Sequence, residues 1–153
     1  MFSQACKYAI RAMFLLAQRT EEVRFLGIKD IAESLDAPQH FTAKILQELS
    51  KKGFIHSAKG PNGGFMLSEE QRKTTLLDIV IAVDGNKITT SCCLGLSDCS
   101  EKAPCPVHNE YKGIRKKITT MLSSTKVSDY NDELNVSKLF LKNNKQTYSE
   151  AAI

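Results

Sequence analysis

The residues best suited to chemistry in this chain of 153 residues are concentrated in one short segment. Cys93, Cys99 and Cys105 are separated by five residues each, and His108 follows after two more. Three thiolates and an imidazole are ligands for an iron-sulfur cluster or for zinc. Gaps wider than Cys-x-x-Cys suit a cluster, which is larger than a single ion, because the loop must reach around it. The spacing alone leaves cluster and zinc as equal alternatives, with inert thiols less favoured.

Two further cysteines need an interpretation. Cys92 is adjacent to Cys93 and could replace it after a small loop shift, although the regular five-residue gap favours Cys93. Cys6 stands alone beside Lys7 near the start of the chain, and we expect it to be buried packing, with a redox role as the less favoured alternative. The first residues lack a secretory signal and no apolar run is long enough to span a membrane, so we predict a cytoplasmic protein with no membrane partner. In that reducing compartment the five cysteines favour metal binding or thiol chemistry over disulfides.

Hydrophobic periodicity predicts the elements that precede this segment. Apolar residues at helical spacing predict a helix over 3–19, a short helix over 27–35 and a third over 38–53, whose stripe includes Phe41. The second and third, separated by a turn, form a helix-turn-helix pattern. Two short strands joined by a glycine-rich turn follow over 54–67, as in the wing of a winged-helix domain.

The second half of the chain is predicted to be helical around the cysteine-rich loop. Thr74 or Thr75 caps a helix that ends at Asp84-Gly85, and the loop follows it. A long helix over 107–122 has a continuous apolar stripe and no obvious partner left within the chain, so we expect it to pair with its copy in a homodimer. A last short helix starts near 128–130.

The predicted fold class is mainly α with a small β-hairpin wing (α+β). It comprises a winged helix-turn-helix domain over 1–85, a cysteine-rich cluster-binding loop over 86–108, a dimerisation helix with a short following helix over 107–134, and a flexible tail over 135–153. A chain of this length supports one such domain with a core, and it is too short for an enzyme with a separate cofactor fold.

Composition restricts the function classes without choosing among them. Hydrophobic residues make up 42% and charged residues 25% of the chain, as in an ordinary soluble protein. The net charge of +4 permits binding to a polyanion. The chain shows no phosphate loop, cofactor fingerprint or catalytic pocket motif, so we predict that it is not an enzyme. The alternatives of other classes are a cysteine-based redox enzyme and an interaction module that uses the winged helix as a scaffold.

Three motifs in this order resemble the IscR/NsrR family of winged-helix repressors, over about residues 2–134. They are Tyr8-Ala9-Ile10-Arg11-Ala12-Met13, Gly60-Pro61-Asn62-Gly63-Gly64-Phe65 and Cys93-x5-Cys99-x5-Cys105-x2-His108. The resemblance implies a homodimer on a palindromic double-stranded DNA operator, with a cluster bound by the three cysteines. His108 would complete a 2Fe-2S site, as in the members that resemble IscR, and a 4Fe-4S cluster is the alternative.

The resemblance also implies which residues contact DNA: Lys29, Gln39, His40, Phe41, Lys44, Lys59, Asn62 and Gly63. Lys44 can reach phosphate or guanine and Gln39 can reach adenine, whereas Phe41 could instead belong to the core. The predicted function is transcription repression, with operator affinity controlled by a cluster that senses iron-sulfur, redox or nitric oxide status. The alternative keeps the fold and replaces the cluster by thiol oxidation or zinc.

Overall fold

The computed structural model describes residues 2–19, 25–136 and 138–141. Its elements in chain order are α1 (Gln4–Ala17), α2 (Ile28–Leu35), α3 (Gln39–Lys51), β1 (His56–Ala58), β2 (Gly64–Met66), a 3-10 turn (Gln71–Lys73), α4 (Leu76–Asp84), α5 (Lys87–Thr90), α6 (His108–Ser124) and α7 (Asn131–Asn135). Among these residues, no helix combines the length and apolar character needed to cross a membrane.

The core lies where α1, α2, α3 and the wing meet. Met13 of α1, Ile31 of α2 and Leu46 of α3 have no exposed surface, and Phe65 of β2 closes the same core from the wing side. Their spacing places the buried residues of each helix on one face, as the periodicity predicted. The helix-rich fold with a two-stranded sheet is therefore confirmed.

Local signals explain where the helices begin. The Ser3 hydroxyl accepts a hydrogen bond from the Cys6 N–H at the start of α1. Thr75 and Asp78 form a reciprocal capping box that starts α4, and this choice between Thr74 and Thr75 could not be made from the sequence. Pro38, expected in the first turn of α3, lies one residue earlier as the N-cap.

The wing is a short antiparallel hairpin in which His56 pairs with Met66. Leu26 adds an isolated bridge to Phe65, so the chain before α2 lies along the outer side of β2. Gly64 at the start of β2 has φ +146, and a Cβ there would overlap the Leu26 carbonyl. Glycine is thus required here by a contact within the protein, in addition to any approach to DNA.

The long helix α6 differs from the expectation in one respect. Ile118 and the fully buried Leu122 pack against Cys6 and Val80, so α6 has a partner within the chain. The expectation of no intrachain partner is therefore wrong, because one edge of the apolar stripe packs within the chain. The rest of the stripe remains exposed, with Val107, Ile114 and Met121 at 38%, 52% and 52% exposure.

Two further predictions have mixed outcomes. The segment after Gly85, expected to be loop, contains the four-residue helix α5. The tail expected over 135–153 lies largely outside the described residues. Leu141, the last described residue, packs against the main core, and its carbonyl accepts a hydrogen bond from the Arg11 guanidinium.

Candidate metal centre and nucleic-acid interface

Three cysteine sulfurs converge beside the start of α6. The Sγ atoms of Cys92, Cys99 and Cys105 all lie within 4.8 Å of one another, and those of Cys92 and Cys105 are 3.7 Å apart. We call these residues the cysteine triad. All five cysteines of the chain are free thiols. The triad is thus available to a metal.

In this loop, the side chains shielded from solvent are those of the triad cysteines. Within residues 91–107, all of which the structure describes, the three triad cysteines are the only residues that are not exposed. Leu94 and Leu96 are 55% and 52% exposed, although leucine is ordinarily a core residue. The inward face of this loop is therefore made of sulfur and not of hydrocarbon.

The choice between the adjacent cysteines does not follow the spacing. The structure brings Cys92 into the triad and leaves Cys93 exposed, although Cys93 borders the same cavity of about 40 Å³. The predicted ligands Cys99 and Cys105 do come together. The assignment of Cys93 as a ligand stays a prediction, and the geometry offers Cys92 as its competitor.

His108 begins α6 and faces the triad. Its Nδ1 lies 3.1 Å from the Cys99 Sγ, and its side chain is only 10% exposed. Its Nε2 lies 3.3 Å from the Glu101 carboxylate, which also accepts a hydrogen bond of 2.7 Å from the Lys112 ammonium. The predicted fourth ligand is therefore close to one thiol, and its two ring nitrogens have different partners.

Cys92 and Cys99 of the triad differ in pKa. Hydrogen bonds from the Leu96 and Leu94 N–H groups lower the pKa of Cys92 to about 7. The Cys105 N–H acts in the same direction on Cys99, but desolvation and the neighbouring Cys105 and Cys92 thiols outweigh it and raise the pKa of Cys99. Cys92 therefore presents a thiolate, the form that binds metals, at a lower pH than Cys99 does.

Arg115 joins the loop to α6. Its guanidinium donates hydrogen bonds to the carbonyls of Ser91, at 2.9 Å, and Thr90, at 3.3 Å, immediately before Cys92. The same group lies 5.8 Å from the centre of the Tyr111 ring, and both side chains border the cavity of the triad. A displacement of Cys92 would therefore act on the middle of α6 as well as on its first turn.

The donor set fits both a single ion and a cluster in chemical type, because thiolate and imidazole bind zinc and iron-sulfur centres alike. The Cys92–Cys105 separation of 3.7 Å is close to the ~3.8 Å between two sulfurs on one tetrahedral zinc with bonds of about 2.3 Å. Two thiolates on one iron of a cluster are spaced similarly, so this distance fits either centre, and only ligands of different irons must lie further apart. The exposed loop residues around the triad leave room for such an adjustment.

Cys6 takes no part in this arrangement. It is fully buried between α1, α4 and α6, as expected of a packing residue. Burial, and to a lesser extent the Asp84 carboxylate, raises the pKa of Cys6 to about 12. The expectation of a buried packing residue is confirmed.

The predicted DNA-contacting residues of α3 divide between two surfaces. All four of Gln39, His40, Phe41 and Lys44 are exposed. Phe41 and Lys44 border a groove of about 250 Å³ between α1, α3 and α4, and the Phe41 ring packs edge-on against Tyr8. Phe41, expected in the buried stripe as well as at DNA, is 39% exposed and lies at the edge of the core.

The remaining predicted contacts come from α2 and the wing. Lys29 borders a hollow shared with Gln39, and the acidic residues Glu33 and Asp36 lie in the same hollow, where they weaken attraction to phosphate. Lys59 and Asn62 are exposed in the hairpin turn and Gly63 is partly covered. The Ser50 and Ser57 hydroxyls lie 2.9 Å apart and join the end of α3 to the wing.

Sequence reasoning missed Glu101, Lys112 and Arg115. Lys112 lies four residues after His108, so the two share a helix face, and this signal was available. Arg115 lies seven residues after His108, again on that face. Glu101 lies in an aperiodic loop, and nothing in the sequence indicated where its carboxylate would point.

Comparison with known proteins gives a consistent result. Residues 2–133 match the family model described as "Rrf2: Iron-dependent Transcriptional regulator". An HTH-type transcriptional regulator of Aquifex aeolicus is 34% identical over 131 residues, covering 84% of this chain and 90% of that protein. The HTH-type transcriptional regulator IscR of Vibrio cholerae is 26% identical and covers 95% of this chain and 91% of its own length.

Solved structures share the fold. CymR, the global cysteine regulator of B. subtilis, superimposes with a TM-score of 0.72 at 23% identity, covering 86% of this chain and 96% of that one. IscR of T. potens gives a TM-score of 0.69 at 23% identity, with 91% of each chain covered. These relatives are transcription regulators and not enzymes.

Proposed function

Because the chain belongs to the Rrf2 family of transcription regulators, we propose that it is a cytoplasmic repressor whose operator affinity is controlled by a cysteine-ligated iron-sulfur cluster. The ligands are Cys99, Cys105, His108 and one thiolate of the Cys92–Cys93 pair, and the cluster is 2Fe-2S. The observation that carries the proposal is that the cysteine triad alone is partly or fully buried within an otherwise exposed loop, directly before the helix α6.

DNA binding uses α3 and the wing. The exposed N-terminal residues of α3 enter the major groove, where Gln39 and Lys44 have the hydrogen-bonding groups to read base edges. Lys59, in the hairpin turn with Asn62 and Gly63, contacts phosphate or the minor groove. Lys29 contributes less, because Glu33 and Asp36 lie beside it. The target is a palindromic double-stranded operator.

The exposed side of α6 forms the dimer contact. Val107, Ile114 and Met121 are seven residues apart and therefore form one stripe along the helix. A second copy of α6 would cover it. Ile114→Asp is expected to give monomers in sedimentation velocity. Ile81→Asp, at a similarly exposed isoleucine on α4, is the matched control, and monomers in both variants would contradict this assignment.

The cluster supplies a centre whose assembly, loss or damage reports on iron-sulfur, redox or nitric oxide status. This chain's own residues transmit the change. Arg115 holds the backbone before Cys92 to α6. At the other end of α6, the Thr125 carbonyl accepts a hydrogen bond from the Leu76 N–H, and the Val127 N–H donates to Thr74. Rearrangement of the loop therefore reaches α4, which packs on α1, and changes the spacing of the two recognition helices.

One observation favours a second candidate, in which zinc replaces the cluster. The three triad sulfurs all lie within 4.8 Å of one another and the His108 Nδ1 lies 3.1 Å from one of them, so the four donors could meet on one tetrahedral ion. Anaerobic purification followed by iron, sulfide and zinc analysis separates the two. We expect coloured protein that contains iron and acid-labile sulfide in similar amounts. Colourless protein with one zinc per chain would establish the second candidate in place of the first.

A further inference from the structure

We propose that Glu101 is a positioning residue that aims the Nδ1 atom of His108 at the metal. The inference rests on the proposed function, because it takes His108 as a ligand. The three residues involved, Glu101, His108 and Lys112, are called the histidine clamp below. The clamp explains how a histidine at a helix start can be a ligand in a loop without a hydrocarbon core.

The first step is the orientation of the imidazole. The Glu101 carboxylate accepts from Nε2 at 3.3 Å, so the proton of the neutral ring is placed on Nε2. Nδ1 then carries the free lone pair, and it faces the Cys99 Sγ at 3.1 Å. A carboxylate on the outer nitrogen of a histidine ligand fixes the ring and makes the inner nitrogen a better donor. The geometry therefore assigns Nδ1 as the ligating atom.

The second step is the fixing of Glu101 itself. This side chain is 67% exposed, and alone it would be free to turn into solvent. Lys112, one helical turn after His108, holds the same carboxylate oxygen at 2.7 Å. Glu101 lies between Cys99 and Cys105, so its contacts also fix the middle of the loop against α6. Loop and helix are thereby joined at the ligand.

The third step distinguishes the positioning role of Glu101 from the general effect of a negative charge near the metal. Glu110 is also an exposed acid in the first turn of α6, but it forms no ion pair within the described ranges 2–19, 25–136 and 138–141. Removing Glu110 changes the local charge as much as removing Glu101 does, without releasing His108. Glu110→Ala is therefore the matched control.

The test uses Co²⁺ alone as the probe, added to metal-free reduced full-length protein, with thiolate-to-cobalt absorption as the signal. Glu101→Ala is expected to weaken Co²⁺ binding about 10- to 100-fold, as for other partners of metal-bound histidine. Glu101→Gln, which keeps an oxygen acceptor for Nε2, should recover most of this loss. Lys112→Ala should lose about two- to fivefold, and Glu110→Ala should bind as the parent protein does.

The ligating atom is tested separately, by pulsed EPR of the Co²⁺ protein containing histidine labelled with ¹⁵N at Nδ1 only. Strong coupling to the label is expected in the parent protein, and a weaker or heterogeneous coupling in Glu101→Ala. Equal affinities for Glu101→Ala and Glu110→Ala, or ligation through Nε2, would overturn the inference. Because cobalt replaces the cluster, these results do not depend on whether iron and sulfide assemble, which tests the proposed function.

Discussion

The winged-helix core and the cysteine loop are stabilised by different means. In the core, Met13, Ile31 and Leu46 are completely buried against one another's helices, and hydrocarbon burial stabilises the arrangement. In residues 91–107 the leucines are exposed, and the residues that turn inward are Cys92, Cys99 and Cys105. The core therefore folds by apolar contacts, whereas the loop is organised around sulfur and hydrogen bonds to α6. A segment of the second kind can respond to a metal without unfolding the first.

The largest expected effect separates the two regions by stability. Leu46→Ala should lower the free energy of unfolding by about 2–5 kcal/mol, because it leaves a cavity in a fully buried site. Leu94→Ala removes the same atoms from a side chain that is 55% exposed, and it should change that free energy by less than about 0.5 kcal/mol. Urea unfolding measures both. Similar losses in the two variants would show that the loop has its own apolar core.

The second prediction distinguishes the adjacent thiols within the loop. If the three triad cysteines are the metal ligands, Cys92→Ser removes a ligand. It should therefore weaken Co²⁺ binding by more than the 10- to 100-fold that is typical when a residue hydrogen-bonded to a ligand is lost. Cys93→Ser should leave the affinity within about threefold. A larger loss for Cys93→Ser than for Cys92→Ser would identify Cys93 as the ligand, as its spacing from Cys99 predicted.

The third prediction concerns the link between the loop and α6. Arg115→Ala removes the hydrogen bonds to Ser91 and Thr90 and leaves the triad in place. Cluster-loaded and cluster-free protein are expected to differ in operator affinity by a factor that corresponds to ~1–3 kcal/mol. In Arg115→Ala this factor should fall towards one. Fluorescence anisotropy on operator DNA gives this factor. Arg115→Lys keeps the charge but not the paired geometry, and it should retain only part of the coupling.

The smallest expected effect is the difference in the pH dependence of alkylation between Cys92 of the loop and Cys6 of the core. With its pKa at about 7, Cys92 in metal-free protein gains thiolate as the pH rises, so its alkylation rate should increase about tenfold between pH 6 and pH 8. Cys6 has a pKa raised to about 12 and is buried, so it should stay unmodified over this range. Mass spectrometry of peptides labelled with iodoacetamide follows both. A flat profile for Cys92 would contradict the hydrogen bonds assigned to its sulfur.

The sequence predicted the first region better than the second, for a physical reason. Buried stripes at helical spacing indicated α1 and α3 within two residues of their observed ends, and the turn glycines indicated the wing. The loop has no such periodicity, so the spacing indicated Cys99, Cys105 and His108 and favoured Cys93, whereas only the folded loop shows that Cys92 joins the triad. The partners Glu101 and Arg115 are fixed by tertiary contacts alone. For α6, a continuous apolar stripe concealed the fact that Leu122 is buried within the chain.

The central claim is that a centre held by the cysteine triad and His108 controls operator binding. It is tested most directly by the affinity for a palindromic fragment from upstream of the protein's own gene, measured with cluster-loaded, cluster-free and Cys99→Ser protein at one salt concentration. The account predicts a difference of about five- to 150-fold between the loaded and cluster-free forms, with Cys99→Ser fixed at the cluster-free value. Equal affinities for the three proteins would contradict it.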